Sequence, residues 1–168
     1  QAGAGRAATL TDLGAIAAKL PLLAGLSSQE RRSLIAGSLV IDAATGSTIL
    51  RKGETGDAVY FILAGRTVAG IETEGGNYRS LEAMRAGDFF GEIAALMGTA
   101  RTANVIADEP TKLLQVSGAT FRLLMKDARI SQLIHLKFVE RLSRTSIGDL
   151  PRFASLDQGD LKDLRTQS

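Results

Sequence analysis

The chain has 168 residues, of which 45% are hydrophobic and 23% charged, the balance of an ordinary globular domain with some length to spare. It has no cysteine and a single histidine, so disulfides, thiolate sites and multi-histidine metal centres are excluded. The net charge of +2 is too small to indicate nucleic-acid binding, and no apolar run approaches the ~18 residues of a membrane span. We therefore expect neither nucleic-acid nor membrane contact from these residues, and a cytoplasmic location.

Two short helices are predicted before the first strand. Thr11 is a suitable N-cap for a helix that runs to about residue 19, with apolar side chains on one face. Ser27 or Ser28 starts a second helix over residues 29–37. Glu30 lies in the first turn of this second helix, where an acidic side chain interacts favourably with unpaired backbone amides.

The central part of the chain changes to the pattern of β-strands. Short runs rich in β-branched and aromatic residues are separated by Gly, Asn and Asp. We predict strands at Leu39–Ala43, Thr48–Arg51, Val59–Ala64, Arg66–Thr73, Asn77–Met84, Ala103–Ala107 and Lys112–Val116. Residues 74–77 (Glu-Gly-Gly-Asn) suit a hairpin turn, because Gly and Asn tolerate positive φ. This pattern predicts an α+β fold built on an eight-stranded antiparallel, jelly-roll-like β-roll.

Helical periodicity returns after the last predicted strand. Residues 118–126 form one predicted helix, and residues 130 to about 147 form a longer, amphipathic one. The apolar positions of the longer helix are Leu133, Ile134, Leu136, Phe138, Val139 and Leu142. We expect Arg141 and Arg144, near the end of this helix, to belong to a solvated face.

The two ends of the chain are predicted to be linkers or partial domains. Residues 1–9 are rich in Ala and Gly and lack an initiator Met, so we expect a linker or disordered segment cut from a longer protein. Residues 150–156 (LPRFASL) echo residues 20–26 (LPLLAGL), which suggests that a second copy of the module begins within residues 148–168. Chance similarity of two Leu-Pro helix boundaries is the alternative. The main domain is predicted to span residues 10–147.

The segment between Phe89 and Val105 contains the residues with a chemical function. Gly91 allows the backbone to approach a ligand closely, and the residues after it predict a helix of one to two turns, whose first amides are unpaired and favour an anion. Arg101 follows this helix, where a strand could return its guanidinium to the helix start. A planar fork of donors suits a phosphate or a carboxylate.

Glu92 adds a negative charge at the same place, which makes sense if the ligand carries hydroxyl groups as well as a phosphate. A carboxylate accepts hydrogen bonds from sugar hydroxyls, while Arg101 and the amides take the charge. Thr102 adds a hydroxyl that can turn toward the phosphate or toward a base. A sugar, a singly charged phosphate and a base together are a nucleotide.

These residues resemble the phosphate-binding cassette of the cyclic-nucleotide-binding domain family, shared by catabolite activator proteins, protein kinase regulatory subunits and cyclic-nucleotide-gated channels. The matching positions are Phe90-Gly91-Glu92, Ala94 and Arg101-Thr102-Ala103. A second family pattern is formed by Gly53-Glu54-x-Gly56, the apolar run Val59–Ile62 and Gly65, whose glycines we interpret as turn formers. The resemblance covers residues 20–143.

The resemblance implies a role for each matching position. Glu92 would hold the ribose 2′-hydroxyl, Arg101 would bind the cyclic phosphate, and Thr102 would contact the phosphate or a syn guanine. Further ligand-binding positions would be Gly91, Ile93, Ala94 and Ala103. Candidates for the apolar wall around the base are Val59, Phe61, Leu81, Met84 and Val105. Candidates for a lid in the last helix are Leu136, Val139 and Leu142.

The function expected from the resemblance is a regulatory sensor that binds cAMP or cGMP and has no catalytic residues, cofactor or metal. Ligand binding would draw the cassette inward, the last helix would close over the base, and the change would reach an output domain outside these residues or a regulated partner protein. A metal-dependent enzyme of the cupin type would need clustered ligands that one histidine cannot supply. The alternatives are that Glu92 and Arg101 form a structural ion pair, and that the roll is a ligand-free docking domain.

Overall fold

The structure, a computed structural model, describes residues 5–9, 11, 14 and 25–144. The strands formed by these residues are β1 (Arg6–Ala7), β2 (Ser38–Ala43), β3 (Thr48–Leu50), β4 (Val59–Ala64), β5 (Arg66–Glu72), β6 (Tyr78–Arg85), β7 (Phe89–Phe90), β8 (Asn104–Ala107) and β9 (Thr111–Val116). The helices are α1 (Ser28–Ala36), α2 (Glu92–Met97), α3 (Gly118–Leu124) and α4 (Ala128–Arg144), with a 3-10 turn at Glu74–Gly76. Among the described helices, none is long and apolar enough to cross a membrane.

Two antiparallel sheets form the roll. One has the strand order β1-β2-β9-β4-β7 and the other β3-β8-β5-β6. The hairpin between β5 and β6 pairs Glu72 with Tyr78, and the turn residues Gly75 and Gly76 both have positive φ, as the sequence predicts. The α+β fold with an antiparallel β-roll is confirmed, with nine strands rather than eight among the described residues.

Strand β4 separates two hydrophobic clusters, because both of its faces are buried. Val59, Phe61 and Leu63 pack with residues of the helices. Tyr60 and Ile62 point to the opposite side, the interior of the roll. The interior cluster also contains Leu50, Met84, Phe90 and Val105. The interior of the roll therefore receives the even-numbered side chains of β4.

The start of α1 shows why the sequence predicts it well. The Ser27 hydroxyl accepts a hydrogen bond from the Glu30 amide at 3.2 Å, and the Ser27 amide donates to Glu30 Oε1 at 2.8 Å. This reciprocal pair satisfies two amides that the helix itself leaves unpaired. Helix α1 begins at Ser28, as expected.

Other expectations differ from the structure or fall outside it. Arg6–Ala7 pairs with β2, although the sequence predicts a linker over residues 1–9. Phe89–Phe90 forms a short strand on β4 that the sequence analysis did not predict. Most of the helix expected from Thr11, the end of the last helix beyond residue 144 and the repeat in residues 148–168 lie outside the described residues.

Candidate functional site

A cavity opens between the interior of the roll, helix α2 and the end of helix α4. Its volume is about 580 Å³, a figure that includes the space of its open mouth. Ten of the predicted ligand positions line it, namely Leu81, Met84, Gly91, Glu92, Ile93, Ala94, Arg101, Thr102, Ala103 and Val105. The cassette residues and part of the predicted apolar wall therefore meet at one cavity.

Gly91 stands at the start of α2 in a conformation that favours glycine. Its φ is 90°, and a Cβ at this position would lie 2.8 Å from the carbonyl oxygen of Ala58 and 3.1 Å from Nη1 of Arg101. A side chain here would be strained and would press against both neighbours. The glycine thus allows the cassette to lie directly against β4 and the arginine.

Arg101 is buried, with 6% of its surface exposed, and its backbone is anchored by the turn before β4. The Gly53 amide donates to the Arg101 carbonyl and the Arg101 amide donates to the Glu54 carbonyl, both at 2.8 Å. The Gly53–Gly56 turn, interpreted from sequence as a requirement of the fold alone, therefore also positions the arginine.

The Arg101 side chain has few partners of its own. Its Nη1 donates to the carbonyl of Gly91 at 3.2 Å, and it forms no ion pair with a carboxylate in the described part of the chain. Burial lowers the pKa of Arg101, while electrostatic interactions with Tyr60, Asp57 and Glu54 act in the opposite direction. Most N–H groups of this guanidinium therefore have no hydrogen-bond partner among the described residues, and the group lies at the cavity wall.

Glu92 is 1% exposed and forms an ion pair with Arg141 of α4, not with Arg101. Arg141 Nη1 donates to Glu92 Oε1 at 2.7 Å. The second oxygen, Oε2, is buried without a hydrogen-bond partner among the described residues. Burial raises the pKa of Glu92, and Arg141 offsets part of that rise. The alternative of a structural Glu92–Arg101 pair is wrong.

Arg141 also corrects the prediction of a solvated face, because its side chain is 9% exposed and enters the cavity. Nε and Nη2 donate to the two carboxylate oxygens of Glu82 at 2.9 and 3.2 Å. The guanidinium lies 5.3 Å from the centre of the Phe89 ring, and Lys137 Nζ lies 3.2 Å from Glu82 Oε2. The side chain of Arg144 is outside the described residues.

Arg141 is buried because it lies on the face of α4 that packs against the rest of the domain. Ile130 and Ile134 are fully buried, and Lys137 and Arg141 continue the same stripe at helical spacing. The apolar pattern of this helix predicts lid residues and does not single out the two cations. Continuation of the buried stripe into charged residues is the signal that could have revealed them.

Five predicted positions do not line the cavity in this structure. Val59 and Phe61 belong to the helix-side cluster because they lie on the other face of β4. Leu136 and Val139 are 66% and 62% exposed on the outer side of α4. Leu142 is partly buried but does not line the cavity. In this conformation the side chain that reaches over the cavity from α4 is that of Arg141.

Comparisons with known proteins agree on one family. The sequence profile described as the cyclic nucleotide-binding domain matches residues 40–128. The chain is 34% identical over 107 residues to a cAMP-dependent protein kinase regulatory subunit of Aspergillus fumigatus, covering 64% of this chain and 25% of that protein. It is 37% identical over 112 residues to a cGMP-dependent protein kinase of Caenorhabditis briggsae, covering 65% and 15%. The chain thus spans a quarter or less of these two relatives.

A solved structure shows the same fold. The regulatory domain of Toxoplasma gondii PKA, in a co-crystal with cAMP, has a TM-score of 0.67 and 27% identity to this chain, covering 77% of this chain and 49% of that one. The match covers most of the chain. It confirms the resemblance that the cassette residues suggest.

Proposed function

The chain belongs to the cyclic nucleotide-binding domain family, and from this premise we propose that its cavity binds a 3′,5′-cyclic nucleoside monophosphate, cAMP or cGMP. The relatives include kinases named for each of these nucleotides. The residues that carry the proposal are those of the cavity itself.

The observation on which the proposal depends is the environment of Arg101. A buried guanidinium without a carboxylate partner in the described residues is costly, because burial removes its hydration and one backbone hydrogen bond with more distant carboxylates replaces only part of it. An anion bound at the cavity wall would remove this cost. A cyclic phosphate offers one negative charge and acceptor oxygens that match the unused N–H groups.

Glu92 supports a ligand with a sugar. Its buried Oε2 lacks a donor within the described residues, and a buried acceptor without a partner costs about 1–3 kcal/mol. A ribose 2′-hydroxyl is a donor of the right kind. Leu81, Met84 and Val105 provide an apolar wall for a base.

The regulatory part of the proposal concerns α4. Ligand binding would stabilise the position in which this helix reaches the cavity through Arg141, and the change would pass to an output domain in the same polypeptide or to a separate partner protein. A ligand can shift α4 only through a difference in affinity between its two positions. We propose a non-enzymatic, cytoplasmic sensor.

Titration with fluorescent cAMP and fluorescent cGMP tests the proposal. We expect saturable binding of at least one probe, and weakening by roughly tenfold or more in Arg101→Ala, because one charge-assisted contact contributes about 1.5–3 kcal/mol. Arg79→Ala is the matched control, since Arg79 is an exposed arginine of the same roll. No saturable signal from either probe would favour the docking-domain alternative, and full affinity in Arg101→Ala would contradict the proposed phosphate contact.

A further inference from the structure

We propose that Glu82 is a positioning residue that latches helix α4 over the cavity, an inference that rests on the proposed function. Glu82 lies on β6 and lines the cavity at the end where α4 arrives. It forms ion pairs with two side chains of that helix, Lys137 and Arg141, which lie one turn apart on the same face. The resemblance assigns no role to this carboxylate.

The geometry is that of a forked ion pair shielded from water. Arg141 Nε and Nη2 reach Oε1 and Oε2 of Glu82 at 2.9 and 3.2 Å, and Lys137 Nζ reaches Oε2 at 3.2 Å. The Glu82 side chain is 13% exposed and that of Arg141 is 9% exposed. Bidentate pairs of this kind are stronger than surface ion pairs, because solvent and salt screen them less.

The contacts allow the latch and a ligand to be present together. Arg141 binds only Oε1 of Glu92, so the unpartnered Oε2 stays available to a hydroxyl. Its other contacts include Glu82, the Met84 sulfur at 3.2 Å and the face of Phe89. Arg141 therefore does not need to leave before a sugar can reach Glu92.

A latch of this kind acts on affinity through the position of the helix. The Glu82 pairs favour the position in which α4 reaches the cavity. A ligand that requires that position then binds with a smaller conformational cost. Removing the charge of Glu82 should speed ligand release, because a helix that opens more often exposes the bound ligand, and should change association little.

Stopped-flow binding of fluorescent cAMP and fluorescent cGMP to the full 168-residue chain tests the latch. We expect Glu82→Gln to weaken binding roughly tenfold, mostly through faster dissociation. Lys137→Met, which removes the lysine contact to Glu82 and a longer pair with the exposed Glu140, should weaken it by about threefold. Glu72→Gln is the matched control: it removes an exposed carboxylate of the neighbouring strand β5 and should leave both rate constants unchanged.

Unchanged or tighter binding in Glu82→Gln would overturn the latch, and tighter binding would show that Arg141 obstructs the ligand. Hydrogen exchange of the ligand-free chain gives a second measurement: amides of residues 133–144 should exchange faster in Glu82→Gln than in Glu72→Gln, and equal rates would also overturn the proposal. If the wild-type chain binds neither probe, the proposed function fails, while the exchange measurement still decides whether Glu82 holds α4.

Discussion

Two buried arginines enter the cavity from different parts of the chain and meet opposite environments. Arg101, beside the cassette, donates to one backbone carbonyl and has no carboxylate partner in the described residues. Arg141, from α4, is bound by the carboxylates of Glu82 and Glu92. Among the described residues, Arg141 is therefore paired with carboxylates, whereas Arg101 is not.

The comparison shows how burial can serve two purposes. Burial lowers the pKa of Arg101, whereas Glu92 and Glu82 outweigh the same effect and raise the pKa of Arg141. A balanced buried charge supports the fold, while an unbalanced one lowers stability until an anion arrives. We therefore expect the free energy of unfolding to fall strongly when Arg141 is replaced and to change little when Arg101 is replaced.

The largest effect is expected from Arg141→Gln. This change removes the partner of two sheltered carboxylates, and breaking one side of a buried ion pair costs about 3–5 kcal/mol. Chemical denaturation of the ligand-free chain at neutral pH measures the free energy of unfolding. A loss of less than about 1 kcal/mol would show that solvent screens the cluster as it screens a surface pair.

Those two carboxylates provide a second test, because their pKa values shift in opposite directions. Burial would raise the pKa of Glu82, but the hydrogen bond and charge of Arg141, helped by Lys137, hold it below its ordinary value of 4.5. Glu82 thus stabilises the fold above pH 4.5, and this contribution is lost as the pH falls through its lowered pKa. Glu92, with a raised pKa, contributes stability below pH 4.5 that is lost as the pH rises through that pKa.

Denaturation curves of Glu82→Gln and Glu92→Gln between pH 3 and 7, set beside wild type, would show this contrast. The loss of unfolding free energy caused by Glu82→Gln should become smaller as the pH falls. The free energy of unfolding of Glu92→Gln should rise relative to that of wild type as the pH rises, since glutamine carries no charge to bury. Parallel pH dependence in the two variants would mean that the cluster titrates as one unit around Arg141.

The contrast also explains how much of the site could be predicted from sequence. Arg101 lies in the same short segment as Gly91 and Glu92, so a local motif was enough to predict that it faces a ligand. The role of Arg141 depends on Glu82, a residue of a distant strand, and no local pattern joins them. The charge of Arg141 suggested a solvated face, and its place on the same helical stripe as Ile130 and Ile134 was the one sequence signal against that interpretation.

The strands illustrate the same limit. Their positions followed from turn residues and β-branched runs, and the observed bounds of β4 agree with the prediction. Which side of β4 faces the cavity did not follow, because five successive residues, 59–63, are all buried. Without an alternation of polar and apolar side chains, sequence gives no way to choose between Phe61 and its neighbours.

The smallest expected effect, and the sharpest contrast with Arg141, is that of Arg101→Met on the ligand-free chain. Methionine keeps much of the length and apolar volume while removing an unbalanced buried charge, so the free energy of unfolding should change by less than about 1 kcal/mol. The variant should instead lose half or more of the stabilisation by cyclic nucleotide, which is about 2.7 kcal/mol when the ligand is at a hundred times the wild-type Kd and about 1.4 kcal/mol if binding weakens tenfold. Denaturation with and without cAMP or cGMP measures both quantities. A destabilisation as large as that of Arg141→Gln would mean that Arg101 supports the fold, and the distinction between the two arginines would then be lost.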